Sequence, residues 1–240
     1  MSSAQDPPGW HGKLPSLGDF ASRRLASAFL DPWDDWLATG LQRLREHNPA
    51  GWLTDYLAAP SRRFLLMPGV MPGAAGSQAW AGILMPSVDR VGRYFPFTIA
   101  QAVQPLPATV VQMQSLWIWL ARLDELAADA LQDDWGIEQL EAALARMSGP
   151  DLETPPATLG VLPQTPGALI DLDLPPRGDI SQLICHEAQS PWQQPRDGLS
   201  FWYASPELQP PRLQLSLGLP ASAADLLGAT IWRCIPPAMP

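Results

Sequence analysis

Two segments combine acid, base, glycine and proline at close spacing, and they are the first places to look for chemistry. One reads Gly12-Lys13-Leu14-Pro15-Ser16-Leu17-Gly18-Asp19-Phe20 and continues into Arg23 and Arg24. The other reads Pro86-Ser87-Val88-Asp89-Arg90-Val91-Gly92-Arg93-Tyr94-Phe95-Pro96-Phe97-Thr98. Glycine and proline punctuate loops, so the chain is expected to bring Asp19, Arg23, Asp89 and Arg93 close together on two facing turns. Two uses follow from such a set. The charges either pair internally and lock two loops onto a sheet, or they present Lys13, Arg24, Arg90 and their neighbours to a partner. Lys13, the only lysine, is expected to be exposed or to reach the surface along an apolar stem. Gly18 and Gly92 are expected where a Cβ would strain the backbone or block a close approach.

Other candidate chemistries are weaker. Asp171-Leu172-Asp173 follows an apolar run, a place where metal-dependent phosphotransfer enzymes set their acids. Leu174-Pro175-Pro176 come next and supply neither a hydroxyl nor a base, so the pair reads as a solvated turn. Cys185 and His186 are adjacent and on a strand would point to opposite faces, which rules out a nucleophile and base acting on each other. His11 and His47 have no ligand-like spacing with the two cysteines. The glycines between positions 69 and 76 lack the Gly-Lys-Ser/Thr ending of a phosphate-cradling loop. No catalytic residue, metal or cofactor is therefore expected. A small hydrolase or phosphate-handling enzyme using Asp89, Asp171 or Asp173 is the alternative. The 11 tryptophans offer another surface chemistry, since Trp beside Arg is favoured at binding hot spots; Trp33 and Trp36, at helical spacing, read as core.

Composition limits the partners. The 240 residues are 46% hydrophobic and carry a formal net charge of −9, a field that repels nucleic acid and anionic lipid. No secretory leader is visible at the N-terminus. The longest apolar runs fall short of the roughly 20 residues needed to span a bilayer, so direct membrane insertion is not expected. Cys185 and Cys234 read as reduced thiols of a cytoplasmic protein.

The elements that must position these residues follow from periodicity. A first helical pattern carries Phe20, Leu25 and Phe29. A clearer helix start has Asp31 as N-cap and Pro32 at the first helical position, with Trp33, Trp36, Leu37, Leu41 and Leu44 forming a stripe that ends at Asn48-Pro49. A short helix passes through Trp52, Tyr56 and Leu57. Strands are predicted over 62–67, 79–85 and 94–101, helices over 111–131 and 137–147, strands over 168–172, 199–204 and 212–217, and a small helix over 221–227. Residues 148–166, rich in Pro, Thr and Gly, read as a long loop. The pattern predicts an α/β fold, a mixed sheet with flanking helices, in a single domain spanning 1–240.

The two charged blocks, in their order and separation, resemble the signature blocks of the TagF (ImpM) family of type VI secretion accessory proteins. Trp52, Arg63-Phe64, Trp80-Ala81-Gly82 and Ser200-Phe201-Trp202 resemble its connecting positions, while between 131 and 198 the likeness is slight. The resemblance implies a three-layer α/β/α domain. It also implies a post-translational repressor that acts on the forkhead-associated (Fha) scaffold protein, beside the kinase and phosphatase of a threonine phosphorylation pathway. A fixed structural component of the secretion apparatus is a further alternative. A phosphatase domain, fused to some members, would be a separate protein here.

Overall fold

The computed structural model describes residues 6–107, 110–147, 149–150, 152, 169–173, 197–205 and 211–228. Among these, eight strands form one sheet: β1 (Gly9–Lys13), β2 (Phe20–Arg23), β3 (Arg62–Leu66), β4 (Ala79–Met85), β5 (Phe97–Val103), β6 (Leu169–Asp173), β7 (Leu199–Ala204) and β8 (Arg212–Leu217). Their order is β2-β1-β5-β4-β3-β7-β8-β6. Every pairing between them is antiparallel, which corrects the expected mixed sheet. The reason lies in the connections. β1 to β2 and β7 to β8 are each joined by a segment well short of the roughly dozen residues that a parallel crossover needs, and β3 to β4 and β4 to β5 return over segments of about that length without a crossover α-helix.

The helices are α1 (Ser27–His47), α2 (Trp52–Leu57), α3 (Val110–Gln132), α4 (Ile137–Arg146) and α5 (Ala224–Leu227). Side chains alternate along the strands and divide into two apolar clusters. Leu65, Ala81, Ile83 and Ile99 pack with Leu116, Leu120 and Leu123 of α3 and with Leu140 and Leu144 of α4. Phe64, Leu66, Trp80 and Trp202 pack with Phe29, Trp33 and Leu37 of α1, Tyr56 of α2 and Leu226 of α5. No helix among the described residues is long and apolar enough to cross a membrane.

Three local expectations change. Helix α1 begins at Ser27, behind Ala26 as N-cap, so Asp31 is not a cap and Pro32 lies inside the helix. Burial of Phe29, whose ring centroid is 4.3 Å from that of Trp80, favours the extra turn. The proline so near the helix start removes only one backbone hydrogen bond. Lys13 belongs to β1 rather than to a loop, and Phe20 opens β2 rather than a helix; the two residues pair across the β1–β2 ladder. Of the long loop read over 148–166, nearly all lies outside the described residues, as do Cys185, His186 and Cys234.

Candidate functional site

The two charged blocks meet where β1 leaves the sheet beside the connection from β4 to β5. Gly12 permits the approach. Its φ is +129°, and a Cβ there would lie 2.3 Å from the Pro96 carbonyl oxygen. Above it, Ser87 is held on every side: its Oγ donates to the Lys13 carbonyl (2.7 Å), its N–H donates to the Tyr56 hydroxyl (2.8 Å), and that hydroxyl donates to the Ser87 carbonyl (2.9 Å). Burial pushes the Tyr56 hydroxyl well above the ordinary phenol range, so it stays protonated and keeps donating.

Asp89 is the centre of the arrangement. Its Oδ2 accepts from Lys13 Nζ (2.6 Å) and Arg93 Nε (2.7 Å), and its Oδ1 accepts from the amides of Val91 (3.0 Å) and Arg93 (2.9 Å). Burial pushes this carboxyl up, and the hydrogen bonds from Lys13, the Arg93 amide and guanidinium, and the Val91 amide together outweigh it. The group is held well below the usual carboxylate range. Gly92 completes the turn at φ +81°, donating its N–H to the Asp89 carbonyl (3.0 Å).

Lys13 is 3% exposed, which corrects the expectation of a surface lysine. The buried carboxylate and the Phe20 ring, 4.3 Å from Nζ, replace water around the ammonium. Arg93 bridges the blocks outward, donating to the Gly18 carbonyl and lying 3.7 Å from Asp19. The Arg90 amide donates to the Leu17 carbonyl (2.9 Å). Lys13 and the Arg90 backbone, with Asp19, Asp89 and Arg93 as the spacing suggested, are thus brought together.

Arg23 and Arg24 are not. Arg23 bonds the Ser22 carbonyl (2.8 Å). Arg24, at φ +58°, turns to Pro8 and to Glu141 of α4. Glu141 also accepts from Trp10 Nε1 (2.6 Å), and the Arg24 hydrogen bonds hold its carboxyl below its ordinary value. Neither Glu141 nor Tyr56 stood out in the sequence, because each meets its partner only through the fold. Gly18 has open space around its Cβ direction and no left-handed φ, so that expectation fails.

Asp171 and Asp173 lie within β6, in register with Gln214 and Arg212, in a strand rather than the turn expected of them. His11 Nε2 lies 2.9 Å from Asp34 Oδ1, and His47 closes α1. Among the described residues no group of three or more His, Cys, Asp and Glu could hold a metal ion.

The arrangement is a loop lock with a charged rim: its acid is saturated from within, and Asp19, Phe20, Arg90, Val91 and Arg93 are left exposed. Comparison with known proteins agrees with the blocks that build it. No curated protein matches the chain. The crystal structure of PA0076 from Pseudomonas aeruginosa PAO1 is similar, with a TM-score of 0.67 and 29% sequence identity over 97% of this chain and 100% of that one. Residues 9–147, more than half of the chain and both charged blocks, match the TagF N-terminal domain, described as type VI secretion system-associated, and the chain belongs to that TagF family.

Proposed function

We propose that this chain represses type VI secretion in the cytoplasm by binding a protein, the forkhead-associated scaffold, and that it does so without catalysis or a cofactor. The observation that carries the reading is the saturation of Asp89. Four donors from the chain itself fill the four lone-pair positions of its carboxylate, so the central acid of the motif has no capacity left to take a proton from a substrate or to ligate a metal. The lock instead gives the exposed rim a fixed shape, which lowers the entropy lost on forming a protein contact. Its link to the kinase and phosphatase of the threonine phosphorylation pathway then runs through the scaffold. The two apolar clusters support a three-layer α/β/α sandwich as the frame that carries the rim.

Co-purification of the tagged chain from cells carrying its secretion cluster tests the reading, with partners identified by mass spectrometry. Recovery of the scaffold is expected, together with its loss for folded Arg93→Ala and Asp19→Ala variants. Absence of the scaffold under conditions that preserve weak complexes would remove the proposed partner. Full retention by both variants would move the contact off this rim.

A further inference from the structure

Resting on the protein-binding reading above, we infer that the partner is held by strand addition. An extended segment, apolar at its centre and acidic at its ends, joins the free edge of β2. Among the described residues β2 pairs with β1 alone and stands at the border of the sheet. In an antiparallel ladder the residues of one strand send both backbone groups alternately toward the neighbour and away from it. The Phe20 N–H is taken by the side chain of Asp19 (2.8 Å) and the Ser22 carbonyl by that of Arg23 (2.8 Å), so Phe20 and Ser22 are the residues facing away from β1. Of the outward groups, these two are engaged by the exposed side chains of Asp19, just before the strand, and Arg23, which an incoming backbone can displace.

Along this edge runs an open groove of about 580 Å³, lined by residues 17–23 and by Ile137 at the start of α4. Ala21 and Ile137 offer the apolar wall for the middle of the added segment. The ends carry cations. Arg23 lines one end, and at the other Arg93 reaches the Gly18 carbonyl while the Arg90 amide bonds Leu17. Around this edge Lys13, Arg23, Arg24, Arg90 and Arg93 outnumber the carboxylates of Asp19, Asp89 and Glu141, which pair with Lys13, Arg24 and Arg93, so the edge is locally cationic on a chain of net charge −9, with Arg23 and Arg90 in surplus. That inversion selects acidic ends on the partner. When the partner strand takes the Ser22 carbonyl, the Arg23 guanidinium is released to pair with a partner carboxylate, and main-chain bonds supply affinity while the flanking charges supply choice.

The test uses the full chain and synthetic peptides of about eight residues, with a valine and alanine centre flanked by glutamates or, as control, by lysines. Fluorescence anisotropy is expected to show saturable binding of the glutamate-flanked peptide alone, with slowed hydrogen exchange at the Phe20 and Ser22 amides. Ser22→Pro removes an outward donor while leaving the β1 side intact and is expected to weaken binding by about tenfold or more. Arg23→Glu, which keeps the backbone unchanged, is expected to shift preference to the lysine-flanked peptide. The inference is overturned by no saturable binding, by binding that neither variant alters, or by concentration-dependent dimers that Ser22→Pro dissolves without any peptide binding. Capture on the forkhead-associated scaffold separates the two claims. Peptide binding at the edge without scaffold capture keeps the strand addition and removes that partner; scaffold capture that ignores both variants, with no peptide bound, does the reverse.

Discussion

At the scale of single residues, Asp89 shows how a motif acid can be structural and still explain a surface. Its carboxylate is buried, yet it stays ionised because Lys13, Arg93 and two amides donate to it. A carboxyl whose folded value lies below its unfolded one contributes stability that is present above the ordinary carboxylate range, near 3.9, and is lost as pH falls through the folded value. Asp89→Asn is therefore expected to be less stable than the wild type at neutral pH, with a gap that narrows as the pH drops below about 4. Urea unfolding of both proteins across that range checks the direction; a gap that does not change with pH would mean that Asp89 is not the ionised partner of Lys13.

At the scale of elements, two replacements separate packing from backbone geometry. Trp33 of α1 is fully buried and donates its indole N–H to Thr98 Oγ1 of β5 (3.0 Å), among the rings of Phe29, Phe64 and Trp202. Trp33→Ala is expected to cost about 3–5 kcal/mol in chemical denaturation, far more than replacement of a rim residue such as Arg90. Gly12→Ala combines a left-handed φ with a contact against backbone that cannot yield, and it is expected to destabilise by about 2 kcal/mol or more. Because Gly12 sets the approach of β1 to the Pro96 turn, that variant is also expected to lose slow hydrogen exchange at the Arg93 amide. Trp33→Ala, which acts through α1, leaves that amide protected while the protein remains folded.

At the scale of the whole molecule, the sheet does not stop where the TagF N-terminal match stops. β7 and β8 lie beyond residue 147 in sequence, yet β7 pairs directly with β3 and brings Trp202 to within 5.4 Å of Phe64, measured between ring centroids. A fragment ending at residue 147 exposes the edge of β3 and the apolar surface that Trp202 covers, a combination that favours aggregation. It is expected to elute as aggregate in gel filtration, whereas the full chain gives a discrete species. A monodisperse fragment with native-like hydrogen-exchange protection in β3 would show the N-terminal part to be self-sufficient.

What the sequence determined by itself was local or contiguous. The alternation of apolar residues placed the strands over 199–204 and 212–217 at the observed bounds and the β4 strand at 79–85. Helical spacing placed α2 and α4 to within a residue or so, and the two unbroken charged blocks carried the family. The tertiary structure decided whatever depended on partners far along the chain. Lys13 is buried because Asp89 comes to it from 76 residues away, and Arg24 leaves the rim because Glu141 meets it from 117 residues away. Helix α1 starts early because Phe29 finds Trp80, and the β1–β5, β3–β7 and β6–β8 ladders pair strands far apart in the chain, whose antiparallel direction only the fold sets. Spacing records the face on which a side chain lies, whereas the identity of the group across that face is set by the packing that folding alone brings about.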